Sequence, residues 1–211
     1  MQWTLVIPLK PLARAKSRLA ATAGDGPRPA LALAFAQDTV AAAVACPAVR
    51  DVAVVTDDAL ARRELSALGA RILADEPGNG LNAALRHGAA AVRAERPEAP
   101  VAALNADLPA LRPMELGRVL DRAAQFPRAF LPDAAGIGTT LLAAAAGVEL
   151  RPAFGTASRA RHTASGAVEL TLADVDSVRQ DVDTGEDLRA ALALGVGPRT
   201  SAAAARLLIA D

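Results

Sequence analysis

The sequence has few of the residues that often carry nucleophilic or acid–base chemistry. Its 211 residues include one cysteine, two histidines and no tyrosine. Cys46 alone excludes a disulfide framework, fits a reducing cytosol and is expected to pack in the core. A G-x-S-x-G nucleophile elbow and a His/Cys set at zinc spacing are also missing. The sequence therefore lacks the residues that these hydrolase and zinc chemistries require.

Long apolar runs and an excess of one charge are missing too. Apolar residues make up 52% of the chain and charged residues 22%, which is typical of a globular protein. Without a basic leader or an apolar span of about 18 residues, neither export nor membrane insertion is expected. The formal net charge is zero, so the composition provides no basic surface for nucleic acid or an anionic membrane. We expect residues 1–211 to form one domain.

Short apolar runs alternate with helical stretches, which predicts an α/β fold with a mostly parallel sheet. The predicted strands are residues 4–9, 51–56, 71–74, 101–105, 129–132, 139–144 and 167–172. The predicted helices are residues 30–45, 59–68, 81–94, 113–124, 156–164 and 185–194. The Ala-rich segment 201–205 is expected to be a weakly specified end.

Lysine is concentrated in one segment. Of 23 basic residues only Lys10 and Lys16 are lysine, and both lie in segment 10–29, between the first strand and the first long helix. That connection has about twenty residues, whereas βα loops usually have 2–6. Lys16 and Arg18 follow the carboxyl end of a strand, where open α/β sheets bind ligands, and a compact ammonium binds phosphate as a point charge. The segment is neither a Walker A loop nor a G-x-G-x-x-G fingerprint. A phosphate site is favoured over a solvated basic turn.

Asp107 follows the buried strand predicted at residues 101–105. It lies too far before Pro113 to cap the next helix, although a turn remains an alternative. A carboxylate at a strand end is well placed to bind Mg²⁺, which prefers one or two carboxylates together with substrate phosphates.

A second acidic segment precedes the helix at residues 185–194. Thr184 and Asp187 match a capping box, which leaves Asp181 and Asp183 unexplained. On an extended stretch, residues two apart point the same way. Either could complete a metal site with Asp107, and the pattern slightly favours Asp183.

Glycines stand beside small hydroxyl residues in segments 136–140 and 154–162. Glycine lets backbone N–H groups approach an anion, so these segments suit a phosphate or carboxylate of a small acid. Ser158 could instead cap a helix, and His162 is more often structural than a ligand at such a position.

Segment 78–82 opens a predicted helix with two glycines and two asparagines. Its backbone groups could face a nucleobase, which makes Gly80 and Asn82 candidate nucleotide contacts. Asp57 and Asp58 are most simply a helix cap.

In combination, these segments resemble the phosphoenolpyruvate or 2-phospho-L-lactate guanylyltransferases of coenzyme F420 biosynthesis. The resemblance spans about residues 4–195, and a looser one extends to molybdenum-cofactor and sugar nucleotidyltransferases. The residues that carry the resemblance to the guanylyltransferases are Ile7–Lys10 with Ala15–Leu19, Asn105–Pro109, Gly138–Thr140, Phe154 and Gly155 with Ser158 and His162, and Asp181–Thr184.

The resemblance implies a Rossmann-like nucleotidyltransferase fold, GTP as donor, a small phosphorylated acid as acceptor and Mg²⁺ as cofactor. The implied nucleotide contacts, with the candidates from segment 78–82, are Lys10, Lys16, Ser17, Arg18, Gly80 and Asn82. The implied acceptor contacts are Thr140, Gly155 and Ser158. The implied metal ligands are Asp107 with Asp181 or Asp183, and the implied catalytic residues are Lys16, Arg18 and Asp107.

Several alternatives stay open from the sequence. The acceptor could be phosphoenolpyruvate, 2-phospho-L-lactate or 3-phospho-D-glycerate, and the Ala- and Arg-rich composition favours an actinobacterial source and phosphoenolpyruvate. The rivals are a molybdopterin or sugar-phosphate nucleotidyltransferase and a catalytically silent nucleotide-binding subunit. The first would carry a Gly-rich stretch after the first strand, where this chain has Pro8–Pro11. Retention of the three acids disfavours the second.

Overall fold

A seven-stranded mixed sheet forms the centre of the molecule. The computed structural model describes residues 1–14, 28–76 and 78–208. The strands are β1 Trp3–Pro8, β2 Val49–Val55, β3 Arg71–Leu73, β4 Val101–Leu104, β5 Arg128–Pro132, β6 Thr139–Ala144 and β7 Val168–Glu169. Their order is β3-β2-β1-β4-β6-β5-β7, and β6 runs antiparallel to both of its neighbours. The α/β prediction is confirmed, although β7 is shorter than the predicted strand 167–172.

Helices cover both faces of this sheet. Within the described residues they are α1 Arg28–Val44, α2 Ala59–Ser66, α3 Leu81–Glu95, α4 Pro113–Ala123, α5 Ser158–Ala164, α6 Asp176–Arg179, α7 Gly185–Leu194 and α8 Pro198–Leu208, with a short 3₁₀ turn at Leu12–Arg14. None of these helices is long and apolar enough to cross a membrane. Helices α6 and α8 were not predicted from the sequence.

The Ala-rich segment 201–205 was expected to be weakly specified, and this expectation is wrong because the segment lies in helix α8. Alanine is the best helix former, and Pro198 suits a first helical position. The carboxylate of Asp38 on α1 accepts hydrogen bonds from the backbone N–H groups of Arg199 (3.2 Å) and Thr200 (2.7 Å). A Cβ at Gly197 would lie 2.4 Å from Cγ of Asp38, so only glycine permits this approach. The cap comes from a residue remote in sequence, which local patterns do not reveal.

The central strands are buried on both faces, as the apolar run Val101–Leu104 predicted. One core cluster lies between the sheet and the face formed by α1 and α4, and includes Trp3, Leu104 and Leu116. The other lies under α3 and includes Leu85 and Phe130. Cys46 is buried in the first cluster, as expected, and burial raises the pKa of its thiol.

The chain order reverses between β1 and β4. From β1 the connections lead outward to β2 and β3, and the chain then returns to place β4 on the other side of β1. The carboxyl ends of β1 and β4 therefore open a crevice at the switch point of the sheet, where α/β proteins bind ligands. Because β6 is antiparallel to β4, its first residues lie at the same edge.

Candidate active site

A cleft of about 640 Å³ lies at this switch point. It is lined by the segments that follow β1, β4 and β5, by the start of β6 and by the loop before α5. The lining residues with polar side chains or glycine backbone are Lys10, Asn105, Asp107, Asp133, Gly138, Thr139, Gly155, Thr156, Ser158, Asp181 and Asp183. Several segments of the chain that the sequence singled out separately therefore meet in one place.

A second cleft of about 330 Å³ adjoins the first. The two share Pro8, Leu9, Lys10 and Leu81 in their walls. The smaller cleft extends toward the ends of β2 and β3, and Gly80 lies in its wall with Asp75. Lys10 is exposed and borders both clefts. Lys16, Ser17 and Arg18, which the sequence predicted to bind the nucleotide, lie outside the described residues.

The backbones of the two acidic segments are in contact. The backbone N–H of Val182 donates to the carbonyl of Asp107 (3.1 Å), which brings Asp181 and Asp183 to either side of that contact. Asp181 is half-buried and its carboxylate accepts a hydrogen bond from the amide of Asn105 (3.4 Å). Asp183 is exposed. All three carboxylates line the larger cleft.

These acids do not form a closed cage. Within residues 1–14, 28–76 and 78–208, no three His, Cys, Asp or Glu side chains are grouped closely enough to hold a metal ion by themselves. An oxygen donor set of this kind suits a hard divalent cation that also takes ligands from substrate phosphates.

The predicted capping box is confirmed: Thr184 and Asp187 exchange hydrogen bonds at the start of α7.

The predicted acceptor contacts lie around the larger cleft. Gly155 and Ser158 line it together with Thr139, and the predicted Thr140 is buried directly beside Thr139 on β6. The register of β5 and β6 shifts here, because Leu131 pairs with Leu141 and Pro132 pairs with Thr139. Thr140 is left without a cross-strand partner on β5 and is fully buried. A bulge of this kind changes which side chain faces the site, and the strand pattern does not predict it.

His162 orients Thr139 from beneath the cleft. Its ring is fully buried, and its Nε2 accepts a hydrogen bond from the backbone N–H of Ala153 (3.0 Å). In the neutral ring the proton is then on Nδ1 and is donated to Oγ1 of Thr139 (2.9 Å). Burial, with Arg128 and Arg161 nearby, lowers the pKa of His162 to about 4, so the ring is neutral at physiological pH. The proton of Thr139 is thereby left to donate to another acceptor, and His162 itself is structural.

Ser158 does not cap α5. The N-cap position is taken by Ala157, in the left-handed region with φ 53°, and the Ser158 side chain faces the cleft while only 2% of the residue is exposed.

The glycine at position 138 has a structural role. The carboxylate of Asp133 accepts hydrogen bonds from the N–H groups of Ile137 (2.9 Å) and Gly138 (2.8 Å), and a Cβ at 138 would lie 2.3 Å from that carboxylate. These N–H groups close a turn, contrary to the prediction that they bind an anion.

The side chain of Asn82, a predicted nucleotide contact, does not line either cleft and is engaged by the backbone of Phe154. Its amide nitrogen donates to the carbonyl of Phe154 (3.0 Å), and its amide oxygen accepts from the N–H of Phe154 (2.8 Å). This bond pair joins the start of α3, beside the smaller cleft, to the loop that carries Gly155. Its fixed partner lies 72 positions away in sequence, so the local pattern gave no sign of it.

Three residues were missed from the sequence. Thr139 was quoted only as a motif neighbour, and Asp133 was not singled out at all. Asp75 lies two residues after the end of β3, at the same edge as the other site residues. The rule that ligands bind at the carboxyl ends of strands could have found Asp75. The helix cap predicted for 57–58 is confirmed at Asp58, whose carboxylate accepts from Leu60 and Ala61.

Several known proteins resemble this chain in sequence or in fold. A phosphoenolpyruvate guanylyltransferase of Streptomyces coelicolor is 80% identical over 100% of this chain and 99% of its own length. Among solved structures, a putative nucleotide-diphospho-sugar transferase from Desulfovibrio desulfuricans matches with TM-score 0.64 at 16% identity, over 89% of this chain and 85% of its own.

A Mycobacterium tuberculosis protein crystallised with manganese matches with TM-score 0.56 at 22% identity, over 92% of this chain and 99% of its own. At these identities the two solved structures establish the fold alone. The sequence itself matches the family described as "Guanylyl transferase CofC like" over residues 3–207. The chain therefore belongs to this guanylyltransferase family and is a nucleotidyltransferase.

Proposed function

We propose that the protein transfers GMP from GTP to phosphoenolpyruvate and releases pyrophosphate, forming enolpyruvyl-diphospho-5'-guanosine for coenzyme F420 biosynthesis. The observation that carries the proposal is the 80% identity, over the full chain, to a protein named phosphoenolpyruvate guanylyltransferase. The cleft supports it, because its lining offers both carboxylates suited to a metal and small hydroxyl groups suited to an anionic acid.

The reaction needs no general base. The acceptor phosphate is anionic at neutral pH, and one of its oxygens attacks the α-phosphorus of GTP while the bond from that phosphorus to the β-bridging oxygen breaks. The chemistry of the site fits this requirement. The histidine at the cleft, His162, is buried with both ring nitrogens hydrogen-bonded and has a pKa of about 4. Catalysis then consists of positioning and charge neutralisation.

We assign Mg²⁺ to Asp107 and Asp181, with Asp183 as the alternative partner. The sequence pattern slightly favoured Asp183, but Asp181 is half-buried beside Asn105 whereas Asp183 is exposed. When bound, the metal would neutralise phosphate charge and orient the donor. Both aspartates line the cleft, and Mg²⁺ characteristically completes its shell with phosphate oxygens.

The remaining roles are divided between the two ends of the site. Gly155, Ser158 and Thr139 would hold the acceptor, because the Thr139 hydroxyl proton is available to an anion. Lys10 and Gly80 would face the nucleotide, with Lys16, Ser17 and Arg18 on its phosphates as the resemblance implies. We propose Lys16 and Arg18 as the residues that neutralise charge developing on the transferred phosphoryl group.

The test is a matrix of four nucleoside triphosphates against phosphoenolpyruvate, 2-phospho-L-lactate and 3-phospho-D-glycerate, with Mg²⁺ or Mn²⁺, read by pyrophosphate release. We expect GTP with phosphoenolpyruvate to give the highest kcat/KM and a product of the mass of enolpyruvyl-diphospho-guanosine. A much higher kcat/KM for another acid would refute the acceptor assignment. Pyrophosphate release from no pair would refute the proposed activity and favour a silent nucleotide-binding subunit.

A further inference from the structure

The smaller cleft contains a buried carboxylate oxygen that the proposed function has not used. Asp75 follows β3 and lines this cleft, and its Oδ1 is buried without a hydrogen bond from the described part of the chain. The backbone of Asp75 is held in place, because its N–H donates to the carboxylate of Asp57 (3.0 Å). A buried carboxylate oxygen without a donor is costly, so a donor that arrives with a ligand would be strongly favoured.

The surroundings of Asp75 suit a flat heteroaromatic ring. The cleft of about 330 Å³ has apolar walls from Leu9, Val55, Leu81 and Ala84. Gly80 lies in the same wall with φ 85°, which leaves backbone without a side chain beside the opening. Apolar faces with one fixed polar group are the usual composition of a small-molecule site in which the polar group sets specificity.

The position of this cleft also matches a nucleotide that reaches into the larger one. The two clefts meet at Leu9, Lys10 and Leu81, and the carboxylate of Asp107 lies in the larger cleft. A nucleoside triphosphate with its base beside Asp75 would therefore extend its phosphates past the Lys10 ammonium toward the acidic end. The reverse orientation would place an anionic phosphate chain against the Asp75 carboxylate.

We propose that Asp75 selects guanine, its carboxylate accepting hydrogen bonds from the ring N1–H and the exocyclic 2-amino group. The inference rests on the proposed use of GTP. Guanine presents two adjacent donors on this edge, which match two carboxylate oxygens. Adenine presents a ring-nitrogen lone pair there and no 2-amino group, so the carboxylate would stay unpaired. Sites built to hydrogen-bond a substrate reject an analogue without the group by ~10⁴–10⁵-fold.

The sharpest test exchanges the donor pattern of the protein. Asp75→Asn replaces two acceptors by one acceptor and one donor, which complements xanthine, whose edge presents N1–H and a 2-carbonyl. We expect the variant to lose about 100-fold or more in affinity for GDP and to bind XDP more tightly than GDP, measured by calorimetry without an acceptor acid. In turnover with phosphoenolpyruvate, the loss should fall on KM for GTP more than on kcat, because the base lies away from the reacting phosphorus.

Glu76→Gln is the matched control. Glu76 is the exposed neighbour of Asp75, does not line the cleft and loses the same charge on substitution. It should keep the wild-type preference for GDP over XDP. If Asp75→Asn also keeps that preference while its thermal unfolding shows a folded protein, the assignment is overturned.

Wild-type protein gives a second test that does not depend on folding of the variant. IDP lacks only the 2-amino group, so it should bind about tenfold or more weakly than GDP. Equal affinity for IDP and GDP would overturn the proposed contact. Because these measurements need no acceptor, they separate the role of Asp75 from the proposed reaction, whose failure would appear as GDP selection without pyrophosphate release.

Discussion

The two ends of the site are built in different ways. The acceptor wall, formed by Thr139, Gly155 and Ser158, is held by two side chains: the buried His162 orients Thr139, and the partly buried Asn82 amide fixes Phe154 next to Gly155. The nucleotide wall, formed by Lys10, Asp75 and Gly80, consists of loop segments at strand ends. In this wall the Asp57 carboxylate accepts a hydrogen bond from the Asp75 backbone N–H.

This difference has consequences for mutation. A small acid offers few atoms, so its few contacts must be positioned by a rigid surround, and damage to that surround costs both binding and stability. A nucleotide offers a large ring and three phosphates, so its wall can distribute contacts over several loops. Substitutions in the nucleotide wall should therefore change specificity while the free energy of unfolding changes little.

The largest effect should come from the acidic end that both substrates share. Asp107→Asn removes one charge but little volume, so we expect kcat to fall about 10²–10³-fold with thermal stability preserved. Pyrophosphate release measured over a range of Mg²⁺ concentrations checks this. Asp121→Asn, an exposed site on α4, is the control for the same substitution. Full activity of Asp107→Asn at limiting Mg²⁺ would contradict the metal role. Asp181→Asn should reduce turnover more than Asp183→Asn.

In the acceptor wall, Ser158→Ala and Thr139→Val should each lower kcat/KM for the acid about 10- to 100-fold. One hydrogen bond to a charged group contributes roughly 1.5–3 kcal/mol. The KM for GTP should change little. Thr140→Val is the matched control, because the neighbouring hydroxyl is buried and does not line the cleft. Equal losses for Thr139→Val and Thr140→Val would show that the register shift does not decide which threonine acts.

In the nucleotide wall, Lys16→Arg keeps the charge and changes its shape. If a compact ammonium is required by the developing phosphate charge, we expect kcat to fall about tenfold or more. Lys16→Ala should lose more and Lys10→Arg less. Steady-state kinetics with saturating GTP measures these effects. A kcat equal to that of the wild type in Lys16→Arg would show that Lys16 belongs to a solvated basic turn and does not act on the phosphates.

Asn82→Ala tests the connection between the two walls. Loss of both hydrogen bonds to Phe154 should raise KM for the acid by about tenfold and leave KM for GTP nearly unchanged, since each neutral bond contributes about 0.5–1.5 kcal/mol. Asn79→Ala, at an exposed position in the same loop, is the control. The opposite result, a higher KM for GTP alone, would restore the original prediction that Asn82 binds the nucleotide.

The buried ring of His162 should affect the pH dependence of stability more than the activity at neutral pH. The folded-state pKa of His162, about 4, lies below its ordinary value of 6.5. The neutral buried ring therefore contributes fully above pH 6.5, and the contribution is lost as the pH falls from 6.5 toward 4. The loss should be on the order of 2–3 kcal/mol. Chemical denaturation at pH 7 and pH 4.5 measures it.

In His162→Asn this component of the pH dependence should vanish, whereas His87→Asn on α3 should retain it. An identical pH dependence in the wild type and in His162→Asn would show that another group is responsible.

Much of the architecture could be predicted from local patterns. The strand at Thr139–Ala144 and the helix at Gly185–Leu194 were predicted to the residue, because a short apolar run and a capping box are properties of adjacent positions. Asp107, Asp181 and Asp183 were identified as one group because each stood at an element end without a local structural role. The family resemblance, carried by the combination of motifs, supplied the substrates.

What the sequence by itself determined is therefore the set of elements, the acidic group and the family. The tertiary structure decided which neighbouring side chain lines the cleft, as with Thr139 beside the buried Thr140, and which polar groups are already engaged, as with Asn82 and Gly138. It also placed Asp75 in a cleft with Leu9 and Leu81. The physical reason is that a hydrogen bond between residues 72 positions apart, or a register shift between two strands, depends on packing that no local pattern encodes.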